Sequence, residues 1–310
     1  MKIVSGHEDY AVRVAAFQWL ESQVAIHGEV LQRKLLETGF GFQDARVPLI
    51  GPPGIFKPKI LAEIPLSINT SPADPYADRI SPDGLLRYRY RGTDPKHRDN
   101  VGLRLAMQER IPLVYFYGIV PGKYLAVWPV FIVGDNPSQL TFTVAVDDAA
   151  YVRLTPSDQP VQEVREEAEL PGRRGYITRS IKTRVHQQRF REKVIYAYRQ
   201  QCACCRLRHE QLLDAAHIIP DSDPEGEPVV PNGIALCKLH HAAFDSNIIG
   251  ISPDYITRVK PEILGEADGP MLKHGLQGME GKQIVVPGRS MLRPDPALLE
   301  KRFELFKKVG

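Results

Sequence analysis

Between residues 8 and 26 apolar side chains recur near helical period, at Val12, Ala16, Trp19, Leu20 and Val24. This predicts an amphipathic helix stopped by Gly28. A second short helix is predicted over 29–38, with Val30, Leu31, Leu35 and Leu36 inward. From Gly39 to Leu61 the pattern changes, and glycines and prolines punctuate short apolar runs, as in a β-ribbon. Residues 60–150 are the most β-like part. Residues 85–92 (LLRYRYRG) alternate arginine and tyrosine, whereas 111–120 (IPLVYFYGIV) are continuously apolar, the pattern of a buried strand. Further strands are predicted over 123–134 and 140–147, and in this part a helix is predicted over 101–109. Residues 156–175 turn to charged and turn-forming types and read as a linker. Arg173, Arg174, Arg179, Lys182 and Arg184 then form a basic run ahead of a helix at 186–200. That run is suited either to gripping phosphates or to a solvated surface. Residues 295–309 predict an amphipathic terminal helix with a basic end.

The stretch 202–245 has a different texture. LLDAAHII is short and apolar and reads as a strand ending near His217. Pro220 to Pro231 is rich in Pro, Asp, Glu and Gly, hence a loop. Asn232-Gly233 signals a turn into a second strand, Ile234 to Leu236, and Lys238 to Ser246 begin a helix. The order is strand, strand, helix.

At 310 residues the chain has room for two or three domains. Its net charge of +3 permits a polyanionic partner without demanding one. All four cysteines lie in one stretch, so no disulfide framework is present and a reducing compartment fits. The first ten residues lack the apolar core of a signal peptide, and no apolar run approaches a membrane span. The expectation is a soluble cytoplasmic protein with no membrane partner.

Cys202 and Cys205 form a C-x-x-C pair, and Cys237 with His240 a C-x-x-H pair about thirty residues on. Two such pairs are what a closed tetrahedral zinc site takes. A redox cluster or buried thiols are the alternative. Cys204 reads as a free thiol, and His209 is a competing ligand for His240. Interleaved with these pairs stand His217, Asn232 and His241. The ligand types, their spacing and their order resemble the HNH family of metal-dependent nucleases, whose shared unit is ββα-metal.

That resemblance implies a structural Zn2+ on the four paired ligands and a catalytic divalent cation, Mg2+, Mn2+ or similar, held in part by His241. It implies His217 as the general base, since imidazole titrates near working pH, and Asn232 as the residue that fixes the loop aiming it. The family often carries Asp or His just before the base, where this chain has Ala216. Asp214, of the same strand parity as Ala216, and Asp245, four residues after His241 on the same helix face, are both candidates for the missing carboxylate. Asp245 serves equally as a helix-tethering carboxylate.

The β-rich segment resembles the SET- and RING-associated (SRA) domain, which reads methylated cytosine by flipping it from the duplex. The resemblance rests on an ordered set: Pro75 to Asp78, the Gly84 turn, Tyr90-Arg91-Gly92, Asp99-Asn100 and the strand from Pro112 to Phe116. It implies Tyr76 and Tyr90 as the aromatic faces around an extruded base and Asp78 as a partner for its Watson–Crick edge. Arg91 stands where that family has a small residue. Alternating Tyr and Arg also suits a half-exposed strand with no pocket. The opening helices and ribbon resemble a winged helix, a module that contacts DNA or other proteins.

The expected architecture is α+β: a winged-helix-like segment (1–60), an SRA-like β-barrel domain (61–154), a linker (155–180) and a ββα-metal nuclease domain (181–310). The expected function is a prokaryotic, modification-dependent (type IV-like) restriction endonuclease. Its partner would be double-stranded DNA carrying modified cytosine, and a homodimer would serve double-strand cleavage. The alternatives are a non-catalytic DNA-binding sensor whose zinc unit is structural, and a nuclease of this kind acting on unmodified DNA.

Overall fold

The computed structural model describes residues 6–72, 79–80, 85–146 and 187–308. The chain divides into two compact units, the first ending at Val185 and the second beginning at His186.

In the first unit, helix α1 (Gly6–His27) buries Val12, Ala16, Phe17 and Leu20, a spacing that keeps them on one face. The backbone N–H of Gly28 closes it by donating to Val24 O, 2.9 Å away. Strand β1 (Val30–Gln32) follows, then helix α2 (Arg33–Thr38). The helix expected over 29–38 therefore begins four residues late. Val30, Leu31 and Gln32 pair instead with Leu125, Tyr124 and Lys123 of the long strand β9 (Lys123–Asn136). A sheet edge available at those positions outweighs a weak helical preference. The expected ribbon is present as β2 (Phe40–Phe42) and β3 (Ala45–Val47). Gly39 (φ 61°) is required at its entry, because a Cβ there would lie 1.9 Å from Val47 O.

The remaining strands are β4 (Ile55–Phe56), β5 (Ser67–Asn69), β6 (Arg79–Ile80), β7 (Leu86–Arg89), β8 (Leu113–Val120) and β10 (Thr141–Val146). Together with β1 and β9 they form an eight-stranded sheet in the order β4-β5-β8-β9-β10-β7-β6, with β1 added beside β9. All pairings are antiparallel except β5 with β8. Bulges in the β8–β9 and β9–β10 ladders add twist, and the sheet curls into a half-barrel.

Strand β8 accounts for the unbroken apolar run in the sequence. Val114 and Phe116 join the core under α1, while Leu113 and Tyr115 join a second core with helix α3 (Arg98–Glu109). Both faces are covered, so no polar alternation is required. Helix α3 starts three residues earlier than its apolar period indicates, capped by His97, whose Nδ1 accepts from Asp99 N–H at 3.2 Å. The first sixty residues, expected to be winged-helix-like, share a core with β8 and β9 and lend β1 and β4 to the larger sheet, while β2 and β3 pair separately.

Arg13 is the least expected member of this unit, being fully buried in α1. Its guanidinium bonds Asp9 (Nε to Oδ1, 2.6 Å) and donates to the carbonyls of Ile64, Pro65 and Pro112 at 2.8–3.2 Å. Burial pulls its pKa down, and the Asp9 charge opposes that pull. A buried charge is tolerated only with such a full set of partners.

The second unit is built on a shorter plan. Helix α4 (187–197) is followed by β11 (Leu213–His217), β12 (Gly233–Cys237) and helix α5 (Lys238–Asp245). A second hairpin, β13 (Ile249–Ile251) and β14 (Thr257–Val259), and helix α6 (Pro296–Lys308) complete it. Strands β11 and β12 are antiparallel, with Leu213 opposite Cys237 and His217 opposite Gly233. Phe190, Val194 and Ile195 of α4, Ala216, Ile234, Leu236, Phe244 and Leu299 share one core.

Candidate metal centre and active site

Cys202 and Cys205 lie in a tight turn after α4, held by Cys202 N–H to Leu207 O and Arg206 N–H to Cys202 O, both 2.9 Å. Ala203 N–H donates to Ala235 O at 2.7 Å, which ties this turn to β12. Cys237 ends β12 as the N-cap of α5, and His240 lies in that helix's first turn. The four ligand atoms of Cys202, Cys205, Cys237 and His240 all lie within 4.8 Å of one another. Cys205 Sγ and Cys237 Sγ are 3.9 Å apart, and His240 Nδ1 is 3.0 Å from Cys237 Sγ and 3.5 Å from Cys202 Sγ. Zn–S bonds of 2.3 Å in a tetrahedron place sulfurs about 3.8 Å apart, so the set fits zinc. The other ring nitrogen, His240 Nε2, is 2.8 Å from Gly275 O, the partner that leaves Nδ1 free to ligate. Nothing in the spacing of the sequence points to Gly275, which arrives from a short helical segment, Met271–Leu276, thirty-five residues on. Cys204 packs half-buried against the core and His209 is exposed; both lie outside the four-ligand group.

Beside this clip the strand pair and α5 gather the remaining predicted residues. His217 closes β11, half-buried, its ring stacked on Phe190 with centroids 4.0 Å apart and planes 14° from parallel. Its Nε2 is buried and has no hydrogen-bond partner among the described residues. Burial lowers the His217 pKa, with the Asp221 and Asp245 charges opposing and His241 adding to the effect. The imidazole is thereby kept neutral, the form that accepts a proton.

Asn232 is 1% exposed, and its amide grips the backbone two residues beyond His217. Its Oδ1 accepts from Ile219 N–H at 2.9 Å, and its Nδ2 donates to Ile219 O and Glu227 O, both at 3.0 Å. Ile218 N–H also donates to Asn232 O, at 3.0 Å.

His241 lies between the two candidate carboxylates. Its Nε2 is 3.2 Å from Asp245 Oδ2, and its Nδ1 is 3.6 Å from Asp214 Oδ2. The Asp214 contact, aided by the Asp245 charge, raises the His241 pKa against its burial. The carboxylates differ in company. Asp214 also receives Lys238 Nζ at 2.8 Å and lies 3.4 Å from Arg191 Nε. Although burial pushes its carboxyl up, the bonds from His241 and Lys238 hold it far below the usual range. Asp245 is 60% exposed; among the described residues no lysine or arginine pairs directly with its carboxylate, although its charge reaches Arg302. Its backbone carbonyl, with that of Phe244, accepts from Arg302 of α6 at 3.3 and 2.7 Å. Arg191 and Lys238 are neighbours of Asp214 that sequence reasoning missed: Arg191 comes from α4, across a long turn from β11, and Lys238 is brought close only by the pairing that sets Asp214 opposite Leu236.

Residues 202–252 match the family model described as HNH endonuclease. This stretch is an HNH endonuclease domain, and its reaction is hydrolysis of DNA phosphodiesters. Among solved structures, the chain is similar to a "Modification dependent TagI restriction endonuclease" at 16% identity and a TM-score of 0.29, over 92% of this chain and 89% of that one. It is similar also to "the Type IV phosphorothioation-dependent restriction endonuclease ScoMcrA" at 15% identity and a TM-score of 0.21, over 78% of this chain and 60% of that one. No curated protein matches.

The first unit holds a separate cavity of about 330 Å³, lined by Gly54, Asn69, Tyr88, Arg89, Tyr90 and Arg91 among others. Tyr90 is 6% exposed, stacked on Phe142 (4.5 Å, 25°), and its hydroxyl bonds Asp135, which also receives Arg104 Nε at 2.7 Å. Arg91 is held at the backbone by Asn100, whose Oδ1 accepts Arg91 N–H at 2.8 Å, and at the guanidinium by Asp99 at 2.5 Å. Asn69, from β5, was not legible as a lining residue, because the fold alone sets it beside β7. Tyr76, Asp78 and the basic run Arg173 to Arg184 lie outside the described residues.

No helix among the described residues is long and apolar enough to cross a membrane.

Proposed function

We propose that this chain is a modification-dependent DNA restriction endonuclease, in which the first unit reads a modified cytosine and the HNH domain cuts the duplex. The observation that carries the cutting half is the convergence of His217, His241 and Asp245 beside a complete Cys3His clip. Cys202, Cys205, Cys237 and His240 would hold a structural zinc. His241 and Asp245 would hold the catalytic divalent cation, Mg2+ or Mn2+, since Asp214 is already engaged by Lys238 and Arg191. Such a cation, when bound, supplies charge neutralisation at the phosphate and the leaving oxygen. His217, neutral through burial, takes the proton of the attacking water, and Asn232 holds the backbone that aims it.

The reading half rests on the cavity lined by Tyr88, Tyr90, Asn69 and Arg91. It is large enough for one extruded base and has aromatic side chains to restore lost stacking. Tyr90 and Arg91 line it, and Tyr76 and Asp78 would complete it. A homodimer would bring two HNH domains to the two strands. The test is cleavage of matched plasmids with and without 5-methylcytosine or 5-hydroxymethylcytosine. Cutting confined to modified DNA is expected. Equal cutting of both leaves an HNH nuclease with a general DNA anchor, and no cutting of either under Mn2+ favours a DNA-binding sensor.

A further inference from the structure

His217 sits at the end of a strand, and the rotation of its ring about Cβ–Cγ is a soft torsion that side chains must be held against. No hydrogen bond among the described residues restrains it at Nε2. What lies against it is Phe190 of α4, with centroids 4.0 Å apart and planes 14° from parallel. Phe190 is 4% exposed, packed in the domain core with Val194, Ala216 and Ile234. The residue across the ladder from His217 is Gly233. A Cβ at that position would lie 2.5 Å from Val194 Cγ2 and 2.9 Å from Phe190 Cζ, closer than real Cβ atoms approach. Glycine therefore keeps open the slot that lets the phenyl ring reach the imidazole. The backbone past His217 is clamped from the other direction by Asn232.

We propose that Phe190 is a positioning residue for the His217 base: its ring sets the plane of the imidazole and shields one face from water, with Gly233 keeping the space for it. This rests on the reading of His217 as the base, and Phe190 acts through His217 rather than on the reacting atoms. The charged groups that bear on His217 are Asp221, in the loop after β11, and His241 and Asp245 of α5. Phe190 contributes burial without charge, which favours the neutral ring.

The test compares wild-type, Phe190→Leu and Phe190→Tyr as full-length, zinc-loaded, 15N-histidine-labelled proteins without added divalent cation. His217 signals are assigned by their absence from His217→Ala. In the wild type, ring-current shifts from a stacked phenyl are expected on the His217 ring protons. Phe190→Leu fills most of the volume without a planar face. It should abolish those shifts, raise the His217 titration midpoint and slow Mn2+-dependent cleavage of 5-methylcytosine plasmid about 10- to 100-fold. Phe190→Tyr keeps the plane and should restore the shifts and most of the rate. In a His217→Ala background, Phe190→Leu should cause no further loss. His217 signals and titration unchanged in Phe190→Leu would overturn the proposal, as would losses that multiply in the double variant. A His217→Ala protein that cuts at the wild-type rate removes the base itself and this role with it. That failure is distinct, because the wild-type protein would still show the stacking shifts and Phe190→Leu would still abolish them.

Discussion

The two units assemble their candidate sites by opposite routes. In the second, the Cys3His group and His217, Asn232, His241 and Asp245 fall within 44 residues and are placed by one turn, one hairpin and one helix. In the first, the cavity is lined from Pro53 to Arg91 by segments that meet only because β5, β7 and β8 join one curled sheet. The HNH unit thus depends on local geometry for its site. The larger unit depends on long-range strand pairing and two apolar cores. Local sites tolerate remote change and fail abruptly when a ligand goes; sheet-borne sites erode gradually with packing.

Breaking the zinc clip should give the largest effect. Cys237→Ser is expected to release about one zinc per chain and to unfold the second unit, since structural zinc supplies about 10–16 kcal/mol of folding energy in small domains. Metal analysis with two-transition thermal melting checks this. The first unit's transition should persist, and full zinc retention would refute the ligand set.

His217→Ala comes next. Cleavage should fall by about 10²–10⁴-fold, with zinc content and DNA affinity unchanged, because a base acts in the transition state. The pH profile sharpens the point. A lowered His217 pKa means cleavage rises with pH through a value below the ordinary histidine pKa of about 6.5. An acid limb centred above that value would contradict the buried, neutral base.

Tyr90→Ala should cost about 1–3 kcal/mol of binding, falling mainly on duplexes with a modified cytosine. Because Tyr90 also stacks on Phe142, its melting temperature should drop as well, which no rim contact would cause. Binding to matched duplexes at one salt concentration separates these; equal loss on both duplexes would speak for packing alone.

The smallest effect is expected of Asp214→Asn, about 1 kcal/mol of stability, since its partners are partly exposed. Its carboxyl is held below its usual pKa, so this stability is present above the unfolded value of about 3.9 and is lost as pH falls through the folded one. Asp245→Asn should instead raise the cation concentration that cleavage requires. Cation titrations of the two variants distinguish ligand from ion-pair partner, and an unchanged requirement in Asp245→Asn would return the ligand role to Asp214.

Within the chain itself, the paired C-x-x-C and C-x-x-H spacings and the order His217, Asn232, His241 were enough to locate the clip and the hairpin-helix. Short-range spacing carries that information because a turn and one helix face leave few ways to arrange the ligands. The apolar run at 113–120 likewise announced a buried strand, and the alternation at 86–89 a half-exposed one. What tertiary structure decided was of another kind. It turned Val30–Gln32 from helix to strand by offering an edge of β9, and it buried Arg13 against three distant carbonyls. It also brought Arg191 and Lys238 onto Asp214, set the more exposed Asp245 beside His241, and laid Phe190 on His217. These contacts join residues whose separation carries no periodicity. Their free energy comes from partners that exist only once the chain has folded, so local pattern holds no record of them.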